Sequence, residues 1–159
     1  MEIFLGCKDV YNCCVNHQIK SKMYPVELTT PIAKDLTDFG FEGLTTPSDV
    51  SAVLDNTEGT VLMVVNSVCG CAAGNARPAA KFAVTHGKKP NKMVTVFAGV
   101  DTEAVAKARE YLLPYPPSSP CIALFKDGKL VHMIERRHIE SNSAQLVADN
   151  LIDALDTYC

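Results

Sequence analysis

Two cysteines separated by a single glycine, Cys69 and Cys71, stand where the aliphatic run TVLMVVN gives way to small residues, AAGNA, and then to Arg77-Pro78. Three chemistries are open to such a pair. As metal ligands the cysteines supply two thiolates, and a structural zinc ion needs four ligands. No second pair with two to four intervening residues accompanies them, since Cys13 and Cys14 are adjacent, and His86, His132 and His138 read as surface or core residues. As plain core thiols they belong to a residue type that is often buried, but Gly70 and the AAG that follows lack the bulk of a packed interior. As a redox couple they gain from their position. A helix N-terminus carries partial positive charge and unpaired N–H groups. A thiolate placed there is stabilised, so the thiol titrates below its ordinary ~8.5 and becomes a nucleophile near neutral pH.

The customary redox spacing is C-x-x-C. With one residue fewer, a Cys69–Cys71 disulfide closes a smaller ring, and strained disulfides are the more oxidising ones. The pair therefore suits disulfide exchange or isomerisation better than strong reduction. A second element is Ser119-Pro120, directly ahead of an apolar run that starts at Cys121.

The elements that must position these residues follow from periodicity. Ile32, Leu36 and Phe39 recur at helical spacing from Pro31, and Gly40 ends that helix. TTPSDVSAVLDN predicts a capped helix with Pro47 in its first turn and Val50, Val53 and Leu54 on one face. TVLMVVNS is a continuous β-branched run, the pattern of a strand buried on both faces. A helix over about 75–86, with Pro78 in its first turns, follows the cysteines. KMVTVFAG predicts a second buried strand, and DTEAVAKAREYLL a helix capped by Asp101 or Thr102. PYPPSSP is a rigid loop. CIALFKDGKLVHMIE is a β-hairpin turning at Asp127-Gly128, and Ser143 to Tyr158 a closing helix. The first half is a βαβ unit, which requires a parallel pair with a right-handed crossover. The second half adds an antiparallel hairpin and a helix. This is the order of a thioredoxin-like α/β fold, a central mixed sheet flanked by helices, here with extra N-terminal helices. In that fold the proline before the hairpin is cis and lies beside the redox cysteine, which assigns that place to Pro120.

The chain has 159 residues, enough for one domain with one core, with 47% apolar and 21% charged residues. A net charge of −3 provides no basic field for nucleic acid or an anionic membrane, and no apolar stretch approaches the ~18 residues of a membrane span. The first residues show no secretory signal. The seven cysteines are odd in number and irregularly spaced, which favours reactive or buried thiols in a reducing compartment, the cytosol. Residues 1–22 hold three of the cysteines without a clear period. They read as a poorly ordered N-terminal extension to a domain over 23–159.

VVNSVCGCAAGNARPAA, VTVFAG, PPSSP and the terminal Cys159 resemble the bacilliredoxin family from about Met23 to Cys159. The resemblance implies a thiol-disulfide oxidoreductase without a cofactor, acting on mixed disulfides between proteins and the small thiol bacillithiol. It implies Cys69 as the nucleophile and Cys71 as the resolving cysteine, with Ser119 and Pro120 shaping the groove for the substrate backbone. Cys159 matches the family's terminal cysteine, either a backup resolving thiol or an inert one. Cys121 stands where the family pattern leads one to expect serine and adds a further thiol near the site. Arg77 is read as a solvated helix residue, with attraction of the small thiol's carboxylates as the alternative. Two rival functions stay open: an isomerase-like exchange without a dedicated small thiol, and a metal-binding or carrier module.

Overall fold

The computed structural model describes residues 24–86 and 88–159; the extension inferred for residues 1–22 lies outside the described residues. The fold is organised by β2 (Thr60–Asn66), whose seven residues are all buried. A run of Val, Leu and Met with no charge can be covered on both faces at no cost in stranded polar groups, and this one is. Parallel to it runs β3 (Lys92–Phe97), with Asn66 opposite Phe97. On its other side β4 (Cys121–Lys126) runs antiparallel, with Val65 opposite Cys121. The hairpin continues into β5 (Lys129–Ile134), and a two-residue β1 (Glu42–Gly43) pairs with β3. The sheet order is β1-β3-β2-β4-β5.

Alternation along the strands divides the interior into two cores. Leu62 and Val64 of β2, with Ile122 and Leu124 of β4, face one side. There they meet α1 (Val26–Thr37), α3 (Arg77–Ala83) and α6 (Ala144–Tyr158). Val61, Met63 and Val65, with Ala123 and Phe125, face α2 (Pro47–Asn56) and α4 (Thr102–Tyr111). A short α5 (Arg136–Glu140) follows β5. No helix among the described residues is long and apolar enough to cross a membrane.

Local chemistry sets the boundaries. α2 starts in a capping box: Asp49 N–H donates to the Thr46 hydroxyl at 3.2 Å and Thr46 N–H to the Asp49 carboxylate at 2.9 Å. The hairpin turns on Asp127 and Gly128, both at positive φ (50° and 75°), the demand of a tight two-residue turn. Three expectations need correction. α1 begins at Val26 rather than Pro31 and carries the proline inside it. Phe39 lies beyond its end and is largely exposed, so Leu36 alone of the three periodic residues is fully buried. The helix after the cysteines starts at Gly70, not near 75, through a π-helical turn over Ala72–Ala76.

A candidate redox site at the end of the central strand

β2 delivers its C-terminal end to the site. Beyond Asn66 the chain turns through Ser67 and Val68, and Cys69 caps the following helix: its carbonyl accepts from the N–H groups of Ala72 and Ala73 at 3.1 and 3.3 Å. Its own N–H donates to the Ser67 hydroxyl at 3.3 Å. Cys69 and Cys71 are joined as a disulfide, with Cα atoms 5.4 Å apart, inside the range a bridge requires. Their surroundings differ. Cys69 lines a cleft of about 400 Å³, whereas Cys71 packs against the core on the α3–α6 side.

The opposite wall comes from the loop before β4. Because Cys121 is registered against Val65, the residues just ahead of it must stand beside the residues just after β2. Ser119 lines the cleft with Cys69, and Pro120 is buried behind it. The Ser119–Pro120 bond is cis, as is Leu113–Pro114 in the same loop. Arg136, at the start of α5, donates from Nη1 to the Ser119 carbonyl at 3.2 Å. α5 is itself tied to the π-helical turn, where the Asn75 amide donates to the carbonyls of Ile139 and Asn142 at 2.9 and 3.0 Å. The two walls are thus braced through α5.

Arg77 is not a solvated residue. It is 6% exposed. Its Nε donates to Asp35 at 2.7 Å, and its Nη1 to the Asn66 side-chain oxygen at 3.1 Å and the Ser67 carbonyl at 3.3 Å. The physical reason lies in the helix. The helix face that carries Ala76, Ala80 and Ala83 inward also turns Arg77 toward the end of β2, where the Asn66 side-chain oxygen and the Ser67 carbonyl accept from it. It does not line the cleft that Cys69 opens onto. The cations that do are Arg109 and Arg136, which no local motif revealed: each comes from a distant element and reaches the site only through the tertiary fold.

A family model described as disulphide isomerase matches residues 24–159. Among curated relatives, a bacilliredoxin of Cytophaga hutchinsonii is 57% identical over 81% of this chain and 95% of its own length. The chain belongs to the bacilliredoxin family. A bacilliredoxin of Salinibacter ruber is 51% identical, over 86% of this chain and 81% of its own. Among solved structures, a thioredoxin of Malassezia sympodialis aligns at TM-score 0.50 and 13% identity, over 75% of this chain and 90% of its own. One from Entamoeba histolytica aligns at 0.50 and 15%, over 72% and 99%. The fold is thioredoxin-like. As in its family, the chemistry of this bacilliredoxin-type chain is thiol–disulfide redox exchange, and its partners carry thiols or disulfides.

The remaining thiols separate by place. Cys121 is 0% exposed, and burial pushes its thiol up to about 12, against the weaker opposing pull of the Ser118 hydroxyl and the Arg109 charge. Such a sulfur stays protonated and is no accessory nucleophile at neutral pH. Cys159 is exposed and donates to the Thr60 hydroxyl at 3.3 Å. Thr60 begins β2 and Asn66 ends it. At ~3.3 Å per residue the strand alone puts about 20 Å between that end and the cleft, so Cys159 cannot resolve an adduct on Cys69 of the same chain. His132 lies against Asn150 at 2.8 Å, and His138 accepts from Glu135 N–H at 3.3 Å. No group of three or more His, Cys, Asp or Glu side chains placed to hold a metal occurs among the described residues.

Proposed function

We propose that this chain reduces mixed disulfides between proteins and a low-molecular-weight thiol, bacillithiol by its family, in a reducing cytosol. Cys69 is the nucleophile and Cys71 the resolving cysteine. The observation that carries this order is the asymmetry of the pair: Cys69 lines the cleft, and Cys71 packs against the core. In the reduced protein the Cys69 thiolate attacks the small thiol's sulfur. A Cys69–S–S–R bond forms, the client's S–S bond breaks, and the client leaves as a thiolate that takes its proton from water. The Cys71 thiolate then attacks Cys69 Sγ, the small thiol departs, and the Cys69–Cys71 disulfide forms. The pair has given two electrons, which an external thiol must restore. Ser119 and Pro120 supply the wall against which the client backbone aligns.

Replacing Cys71 with Ser is expected to trap the small thiol on Cys69, visible by intact mass, and replacing Cys69 with Ser to abolish exchange. Absence of an adduct in every variant that keeps Cys69 overturns the assignment. The disulphide isomerase description of the matching family model supports a second reading, exchange between protein disulfides without a dedicated small thiol. Refolding of a scrambled substrate at equal rate with and without bacillithiol would favour it.

A further inference from the structure

The cleft that Cys69 opens onto is lined by two arginines, and one of them carries a buried donor without a partner among the described residues. Arg109 sits on α4 one turn beyond Val105, and both line the cleft. Its Nε is buried and finds no hydrogen-bond partner among the described residues. Native folds seldom leave a buried donor in that condition, because its desolvation is not repaid inside the molecule. The other cation of the cleft, Arg136, is already engaged, by the Glu140 carboxylate at 2.6 Å and the Ser119 carbonyl. The remaining described residues of the lining are neutral, with no carboxylate among them. The charges of Arg109 and of the Glu135 carboxylate are both felt at the Cys121 sulfur; Glu135 does not line the cleft and is paired with Arg137 at 2.8 Å. A volume of about 400 Å³ fits a small molecule rather than a folded client. A guanidinium pairs best with a planar carboxylate, through two parallel hydrogen bonds.

We propose that Arg109 is a specificity-determining residue that receives a carboxylate carried by the small-thiol half of the mixed disulfide, beside the sulfur that Cys69 attacks. The inference rests on the exchange reading above. Arg109 moves no electrons in it: it holds the small thiol while the client is released and while Cys71 displaces the adduct. It puts the affinity for anions on the open side of the site, away from the buried Arg77.

Alkylation of the reduced protein tests this without requiring turnover. Iodoacetate and iodoacetamide both consume the Cys69 thiolate, so the ratio of their rates, followed at Cys69 by peptide mapping, cancels the thiolate fraction and reads only the preference for an anion. Arg109→Gln is expected to lower the iodoacetate-to-iodoacetamide ratio about fivefold, the scale of one partly screened charge contact, and Arg109→Lys to keep most of it. In parallel, one peptide is presented as its mixed disulfide with 3-mercaptopropionate or with 2-mercaptoethanol. The expected loss in kcat/KM on Arg109→Gln falls on the first and appears mainly in KM. An unchanged ratio, or an equal loss with both reagents, overturns the proposal. If the ratio falls but neither mixed disulfide is reduced even by the unmodified protein, the anion site stands and the exchange reading fails. If both are reduced with no preference that depends on Arg109, the exchange reading stands and the anion site fails.

Discussion

Cys69 and Cys121 lie at the facing ends of neighbouring strands, yet only one of them is placed to react. Cys69 has a cleft in front of it; Cys121 has the α2–α4 core all around it. With its thiol pushed up to about 12 from 9.0, the folded chain keeps a proton there that the unfolded chain releases first. The contribution of that thiol to stability is therefore whole below pH 9 and is lost as pH rises toward 12. Cys121→Ala should show a flatter alkaline limb in a pH series of thermal melts than the unmodified protein. Native iodoacetamide treatment at neutral pH should label Cys159, and Cys69 after reduction, but leave Cys121 unlabelled until denaturant is added. The cysteine pair at a strand end and the cis proline ahead of β4 are legible in the sequence because their signal is local: an apolar run that stops, a missing spacer residue, a proline before a second apolar run. Sequence reading could not rank Cys121 against Cys159, since exposure is a property of the packed molecule. It misplaced Arg77, because a charge beside a run of alanines reads as a solvent-facing residue until the polar end of β2 is seen beneath it.

At the scale of elements, Arg77 and Lys81 on α3 share the Asp35 carboxylate of α1, and the same guanidinium reaches the end of β2. Three elements thus meet at one buried cation under the redox loop. Removing one partner of a buried pair costs about 3–5 kcal/mol, but Asp35 is 36% exposed, so Arg77→Met is expected to cost about 2–3 kcal/mol in urea unfolding. Thr46→Ala, which removes one half of the α2 capping box, should cost about 1 kcal/mol. Asp35 is pulled two ways: burial raises its carboxyl, and hydrogen bonds and charge from Lys81 and Arg77 overcome this and hold it below 3.8. The folded chain binds that proton less readily than the unfolded one, so the contribution is present above about pH 4 and is lost as pH falls through the lower folded value. Asp35→Asn should remove this part of the acid limb, read from Tm between about pH 5 and pH 2. Most elements were legible because their signals are strong: β-branched runs for β2 and β3, Asp-Gly for the hairpin, the Thr46-Pro47 start of α2. The π-helical turn was not. Its small residues favour no particular hydrogen-bond spacing, and the contacts of Asn75 that hold it to α5 span more than sixty positions. β1 and α5 were too short for any period to show.

The whole molecule is two cores sharing one sheet, and β2 contributes to both. Leu62 on the α3–α6 side and Met63 on the α2–α4 side are each 0% exposed. Leu62→Ala and Met63→Ala should each cost about 2–5 kcal/mol. Because they face opposite ways across a common strand, the double variant should fall short of a cooperative transition rather than lose one half of the fold, a distinction that near-UV circular dichroism and urea melts make together. The sequence order of strands and helices was enough to predict a mixed sheet of a parallel pair and an antiparallel hairpin, but not the fifth strand, β1, at its edge. The cleft was not legible at this scale, since Arg109, Ser119 and Arg136 come from three separate elements and meet only after both cores have closed. The same global arrangement places Cys159 at the pole opposite the cleft, exposed beside Thr60. A disulfide between two chains at that sulfur would join them at the end of β2 away from Cys69. Such a pair should run as a covalent dimer on a non-reducing gel, vanish in Cys159→Ser, and exchange disulfides at the same rate per chain as the monomer. Cys159 thus offers a point of attachment, to a second chain or to a surface, about 20 Å or more along β2 from the cleft that Cys69 lines.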